Sequence, residues 1–559
     1  MKKIGLWGLL MCTTLLSAMP EIYFTYPGWV RKALTFSFDD GVQADRKLVE
    51  IFNRYGMKGT FNVSAGRAGT KTKSGISFLA LSEYAELYKG HEVASHGLHH
   101  LAMAKLAPAE IETEIQNDLV ALEGVVGYPI RGFAYPYGQT SPEVRAALQK
   151  YGIVYARGTG ETGTFYEEKD PLYWVMTGHS FDQLPGIAEK YRDYNGWGGV
   201  LSVCSIWGHS YEFDDAKNWD VIENFCKTLA HRPDIWYATN IEIVDYMAAC
   251  RKLQVSVDGK MFVNPTAIPI YLWIDGKNVV VEPKKDLVIE PVAGIVYPAG
   301  TYPVFPGGRT KALTFSYDDG FKASDAKLTE LFNRYQLKGT FNINSKRDVD
   351  YAIYRGHEVA THGFRHGCYQ VNPKESILFD LYSDRAMLEK KLGCIVRGNA
   401  WPNGATWSDF SAARDVYRAC NIAYSRSTPN RTDDFTLPVD WLAWGPTAHH
   451  VKNGDIQEIG KRFLATEKVP ALCEIWGHSW EFDRSNNWEV MEEFAKLMAH
   501  RPEIWYATNI EIYDYWQAVE SLQWSCDRTF VRNMSATTVY YVVNGKLYAF
   551  KPGTTTSLR

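Results

Sequence analysis

Short apolar runs alternate with amphipathic stretches along most of the 559 residues. Ala33 to Phe38 reads as a strand, and Ala44 to Tyr55 carries apolar residues at helical spacing. Gly59 to Val63 is strand-like again. Pro108 to Val125 is amphipathic, with proline near its start, where a helix tolerates it. Arg131 to Tyr135 and Ile153 to Arg157 read as strands on either side of a helix near Pro142 to Lys150. Val200 to Ile206 is strand-like and Ala216 to Leu229 helical. Repeated β-α units predict a parallel sheet, closed as a barrel or open. The polar motifs fall just after strands, where α/β enzymes place their active sites.

The pattern occurs twice. KALTFSFDDG, from Lys32 to Gly41, returns as KALTFSYDDG from Lys311 to Gly320. GHEVASHGLHH returns as GHEVATHGFRH, IWGHSYEFD as IWGHSWEFD, and HRPDIWYATNIEI as HRPEIWYATNIEI, in the same order. The first copy holds extra residues near the Gly- and Ser-rich stretch Ala65 to Ser77, which reads as a loop. After each copy the texture changes. Leu253 to Pro291 alternates apolar and polar residues around Asp275-Gly276, a hairpin signal, and Leu522 to Lys551 does so around Asn544-Gly545. The expected organisation is a leader at 1–18, a large α/β domain at 22–250, a small β-rich appendage at 251–297, a Pro- and Gly-rich linker at 298–308, a second large domain at 309–520, and a second appendage at 521–559.

Composition then excludes some functions. The net charge is -4 and no basic stripe appears, so a nucleic-acid partner is not expected. Met1-Lys2-Lys3, the apolar run Ile4 to Leu16 and then Ser17-Ala18 form a secretory signal pattern, too short to span a bilayer. Export is therefore expected, with no transmembrane segment and no protein partner. None of the nine cysteines lies in a CxxC pair, so a cysteine zinc site is not expected, and Cys204 and Cys473 read as buried thiols.

The chemistry is carried by three polar clusters. Asp39-Asp40-Gly41 returns as Asp318-Asp319-Gly320. Adjacent strand residues point to opposite faces, so two carboxylates serving one site require the chain to leave the strand, which the glycine permits. Helix capping would need only one Asp. His96 is followed by both His99 and His100, but the second copy has Arg365 at the position of His99. Arg cannot bind a cation, so the ligand pairs are His96 with His100 and His362 with His366. One carboxylate and two imidazoles leave open positions on a zinc-like ion, and the other carboxylate is free to act as a base. His209 and His478, each after a strand-like run, suit proton donation near neutral pH; a hydrogen-bonded structural role is the alternative. Glu212 and Glu481 share their motif. His91 and His357 recur earlier in each copy and read as structural.

Together these motifs resemble the polysaccharide deacetylases of carbohydrate esterase family 4, the NodB-homology domain. The resemblance covers both large domains but not the appendages, and implies two tandem distorted (β/α) barrels. It implies that Asp39 and Asp318 are catalytic bases. Asp40, His96 and His100 would hold a metal in one copy, and Asp319, His362 and His366 in the other. His209 and His478 would be general acids. The family's Arg-to-Pro-aromatic-Gly motif falls on Arg131 to Gly138 and Arg397 to Gly404, which implies substrate or oxyanion roles for Arg131, Tyr137, Arg397 and Asn403. Ala134 and Ala400 stand where the family often has an arginine beside the base. Asp440-Trp441 resembles the family's Asp-Trp motif, with Tyr173-Trp174 read as its counterpart.

The function so implied is hydrolytic removal of N- or O-linked acetyl groups from a carbohydrate, with one divalent ion per domain, zinc by default for Asp and His ligands. The rivals are a chain with one catalytic and one glycan-binding copy, a wholly non-catalytic carbohydrate-binding protein, and hydrolysis of another amide.

Overall fold

The computed structural model describes residues 19–166, 170–181, 184–196, 200–367, 369, 372–404, 411–430, 434–451 and 455–559. The expected leader at 1–18 and Cys368 lie outside the described residues.

In the first half, Lys32–Asp40 is the central strand of a parallel sheet. Gly59–Val63, Glu92–Ser95, Gly132–Ala134, Tyr155–Glu161 and Trp174–Met176 follow on one side of it, and Ser202–Gly208 and Gly178–His179 on the other. Ile235–Tyr237 pairs with its first residues. The second half repeats this order around Lys311–Asp319, except that among the described residues no strand corresponds to Trp174–Met176. The two sheets curl into incomplete parallel barrels, each wrapped by the helices that connect its strands, so the expected pair of distorted (β/α) barrels is what the chain forms. Every residue of Lys32–Asp40 is buried, as both faces of a wrapped parallel strand must be. Leu48, Val49, Ile51 and Phe52 form the inward stripe of helix Asp45–Tyr55. Phe36 meets Phe52 at 4.5 Å, and Phe315 meets Phe332 at the same 4.5 Å.

His91 and His357 sit at the opposite end of the barrel from the Asp-Asp pairs. Their Nδ1 atoms accept from Gly59 N and Gly339 N at 3.1 Å, a structural use.

Each half closes on itself. The hairpin Ile270–Ile274 and Lys277–Val281 turns at Asp275 and Gly276, which take φ of 46° and 82°. Its third strand is Ile22–Thr25, from before the barrel. In the second half the hairpin Val539–Val543 and Lys546–Phe550 pairs with Thr301–Val304. The stretch 298–308 is therefore more than a linker. Thr301–Val304 lies at the edge of that sheet, where Pro303 costs little.

Smaller contacts cross between the halves. Val257 N donates to Glu389 at 2.6 Å, Cys526 N donates to Glu123 at 2.7 Å, and the appendages meet where Ala267 N donates to Met534 O at 2.9 Å. The free thiols Cys204 and Cys473 are buried, as the sequence suggests.

Several scaffold carboxyls are buried among neutral donors. Glu92 accepts from Thr60 at 2.8 Å, Tyr155 at 2.7 Å and Ile241 N at 2.9 Å. Glu358 is held in the same way by Thr340, Tyr424 and Ile510 N. Burial pushes both up to about 7, and Asp45 and Asp118 likewise to about 7. An unfolded carboxyl has released its proton by about pH 5, so between there and about pH 7 the native state binds more protons, and stability falls as pH rises. The melting temperature is expected to drop from about pH 5.5 to about pH 8. Glu92→Gln with Glu358→Gln should flatten that slope; a slope unchanged in the double variant would refute the assignment.

Candidate metal and catalytic centre

Both carboxylates of each pair turn toward the same His pair because the strand breaks at its last residue. Asp40 takes φ of 84° and Gly41 of 71°; Asp319 and Gly320 take 81° and 77°. A Cβ at Gly41 would meet Val63 at 2.8 Å. Two residues beyond Glu92–Ser95, the chain turns again through Gly97 and then His100, with φ of 72° and 58°. The rings of His96 and His100 then lie 4.7 Å apart, and those of His362 and His366 4.8 Å apart. His99 points elsewhere and pairs with Glu114 at 2.7 Å; Arg365 turns the same way, to Asp380 at 3.4 Å.

Asp40, His96 and His100 each offer a ligand atom within 4.8 Å of the others, and so do Asp319, His362 and His366. Ala134 and Ala400 contribute their carbonyls, which meet Nδ1 of His96 at 2.8 Å and of His362 at 3.0 Å. That contact fixes the tautomer and turns Nε2 to the carboxylates. Burial lowers the pKa of both rings and keeps them in the neutral form that ligates a cation. One carboxylate and two neutral imidazoles fit a zinc-like ion.

Asp39 lies 3.9 Å from His96 Nε2 and accepts from Asn62 at 2.9 Å. Its countercharge is Arg157, fully buried and 5.0 Å over the Trp207 ring. Burial would raise the Asp39 carboxyl, but Arg157, His96 and His209 together bring it below the usual range. Asn342, Arg426 and Trp476 repeat the arrangement around Asp318. Sequence reasoning missed these arginines. The signal was an Arg closing the strand-like runs Tyr155-Ala156-Arg157 and Tyr424-Ser425-Arg426.

Arg131 and Arg397, expected near the reacting atoms, are not there. They precede the strands whose far ends reach the site, and pair with Asp245 at 2.7 Å and Asp514 at 2.9 Å on outer helices. The pairing of Asp440-Trp441 with Tyr173-Trp174 is also corrected. Asp440 caps the short helix Trp441–Ala443 and binds Arg414; Asp170 caps Pro171–Tyr173 and binds Arg145. Asp440 therefore matches Asp170.

Tyr137 and Asn403 stand at the mouth with φ of 58° each. The Tyr137 ring lies 4.6 Å from that of His100, whereas Asn403 donates to the His366 carbonyl at 3.0 Å. His209 follows Ser202–Gly208, and its Nδ1 lies 3.2 Å from Glu212, which His179 also approaches at 3.4 Å. His478 lies 3.4 Å from Glu481, which His449 and His450 approach at 3.1 and 3.2 Å. Its Nε2 is 4.0 Å from Asp319. Burial would lower the pKa of His209 and His478, but these glutamates and the paired aspartates raise it overall. In the second copy Asp318, Asp319, His362, His366, Asn403 and His478 line a cavity of about 380 Å³.

The family model for polysaccharide deacetylase matches residues 30–156 and 306–424. No curated protein matches the chain. Among solved structures, a family 4 carbohydrate esterase from Streptomyces lividans in complex with acetate is 20% identical, with 36% of this chain and 88% of that chain covered and a TM-score of 0.26. A family 4 acetyl xylan esterase from Clostridium thermocellum in complex with a cobalt ion is 17% identical over 38% and 89%, with a TM-score of 0.27. A family 4 pseudoenzyme from Bacillus anthracis is 14% identical over 40% and 68%, with a TM-score of 0.26. The polysaccharide deacetylase model thus matches once in each barrel, over the stretch that carries its Asp-Asp-Gly turn and His pair.

Proposed function

We propose that each copy is a metal-dependent hydrolase that removes acetyl groups from a carbohydrate. The observation that carries this reading is the convergence of Asp40, His96 and His100, with Asp39 and His209 on either side, and its repetition in the second copy. A divalent ion held by the three ligands would polarise the acetyl carbonyl and acidify the attacking water. Asp39 or Asp318, kept ionised by Arg157 or Arg426, takes the proton of that water. The backbone N–H of Tyr137 or Asn403 supports the oxyanion. His209 or His478 gives a proton to the departing amine or sugar oxygen. Glu212 and Glu481 orient that ring and favour its protonated form.

Acetate release from a panel of N- and O-acetylated glycans by the full-length chain, supplied with zinc, tests the reading. Asp39→Asn and Asp318→Asn should each remove one copy's share, and the double variant should fall by about 10²-fold or more. If one single variant alone abolishes release, only that copy is catalytic. Wild-type release by the double variant, or no release by the native chain, would refute it.

The glutamates are tested in an Asp39→Asn background. Glu481→Gln removes the charge that raises the His478 pKa. The descending, alkaline limb of the pH–rate profile should then move to lower pH and kcat at pH 7 should fall, with KM little changed. An unmoved limb would leave Glu481 a purely structural role.

A further inference from the structure

The two centres share their ligands but differ in one neighbour. In the first copy Arg67 Nη1 donates to Asp40 Oδ1 at 2.8 Å. Its guanidinium lies 4.1 Å over the Phe78 ring. Phe78 closes the loop that the second copy lacks, and is pinned by a bridge to Val42 and by its N–H to Thr70 O at 3.0 Å. The loop's own base is fixed where Ala65 N donates to Asp118 at 2.7 Å and Gly66 N to Leu98 O at 2.9 Å.

Counting from Gly59 and Gly339, Arg347 takes the position of Arg67. It lies 4.8 Å over Phe321, the residue after Gly320, where the first copy has Val42. Among the described residues Asp319 has no arginine partner; Trp480 Nε1 approaches its Oδ2 at 3.4 Å, and the first copy has Tyr211 at that position. One aromatic ring seats the arginine on the carboxylate, and a different ring in the other copy draws it away.

We propose that Arg67 competes with the divalent ion for Asp40, so that the second copy takes up metal first and the first copy fills only at higher concentration. This rests on reading Asp40 and Asp319 as ligands. A guanidinium on Asp40 neutralises part of the charge that attracts a cation, and metal entry must break or weaken a charge-assisted hydrogen bond and accept a like charge beside it. An interaction of that class changes affinity by about tenfold or more.

The test is calorimetric titration of the metal-free full-length chain with Zn²⁺. Two classes of one ion each are expected, separated by about tenfold or more. His366→Ala should remove the tight class and His100→Ala the weak one. Arg67→Gln should tighten the weak class by about tenfold and leave the tight class unchanged, and Phe78→Ala, which frees the guanidinium without deleting it, should act in the same direction. Two equal sites, a tight class that maps to His100, or an Arg67→Gln isotherm identical to wild type would overturn the proposal while leaving both metal centres in place. Binding at neither site would overturn the ligand assignment as well.

Discussion

The site depends on one backbone event, the left-handed step at the end of the central strand. Through Asp40 the strand stays in register with Gly59–Val63, and pleating alone would send the Asp40 carboxylate away from that of Asp39. The φ of 84° at Asp40 and 81° at Asp319 reverses that alternation. A non-glycine residue in such a conformation costs about 1–3 kcal/mol, and holds it only where the surroundings over-determine it. They do so here. Val63 packs beneath Gly41, leaving no room for a Cβ, and the pairing of Asp40 with Val63 holds the strand to its last residue. Base and ligand candidates are neighbours in sequence because this turn makes them neighbours in space.

Burial then divides the acids of each barrel into two kinds. Asp45 and Asp39 are both fully enclosed. Asp45 meets Ser210 and Tyr88, neutral hydroxyls, and is pushed up to about 7. Asp39 meets Arg157 and is held below the ordinary carboxylate range. Depth does not separate them; the charge of the partner does. A scaffold acid can share its proton with the protein near neutrality, whereas a general base must be empty and ready to receive one.

The sequence made the fold and the juxtaposed His pairs legible because the signals were local and repeated. Strand and helix periods, the Asp-Asp-Gly turn and the substitution of Arg365 for His99 each constrain residues a few positions apart. Arg157 was illegible for the opposite reason. It reaches Asp39 from a strand more than a hundred residues away in the chain, and an Arg closing a strand-like run does not say which carboxylate it will meet. Arg131 misled because a motif spanning one strand places its first residue at one end of the barrel and its last at the other. The linker misled because Pro and Gly suggest a flexible stretch, while the pairing of Thr301–Val304 depends on a hairpin at the far end of the domain.

Duplication within one chain separates what both copies keep from what surrounds it. The floor of the cavity is the same twice: two aspartates on a left-handed step, an Asn, a buried Arg over a Trp, and a His pair held by a carbonyl. The rim is not. Asn403 takes the place of Tyr137, Trp480 takes that of Tyr211, and the loop that carries Phe78 exists once. Substitutions at Tyr137, Asn403, Tyr211 or Trp480 alter what can approach the centre, and they cost little stability because these side chains are partly open to solvent. Substitutions on the floor would leave a buried carboxylate without its countercharge, which costs several kcal/mol. The two copies are free to diverge at the rim without either losing the shared arrangement of aspartates, arginine and histidines beneath it.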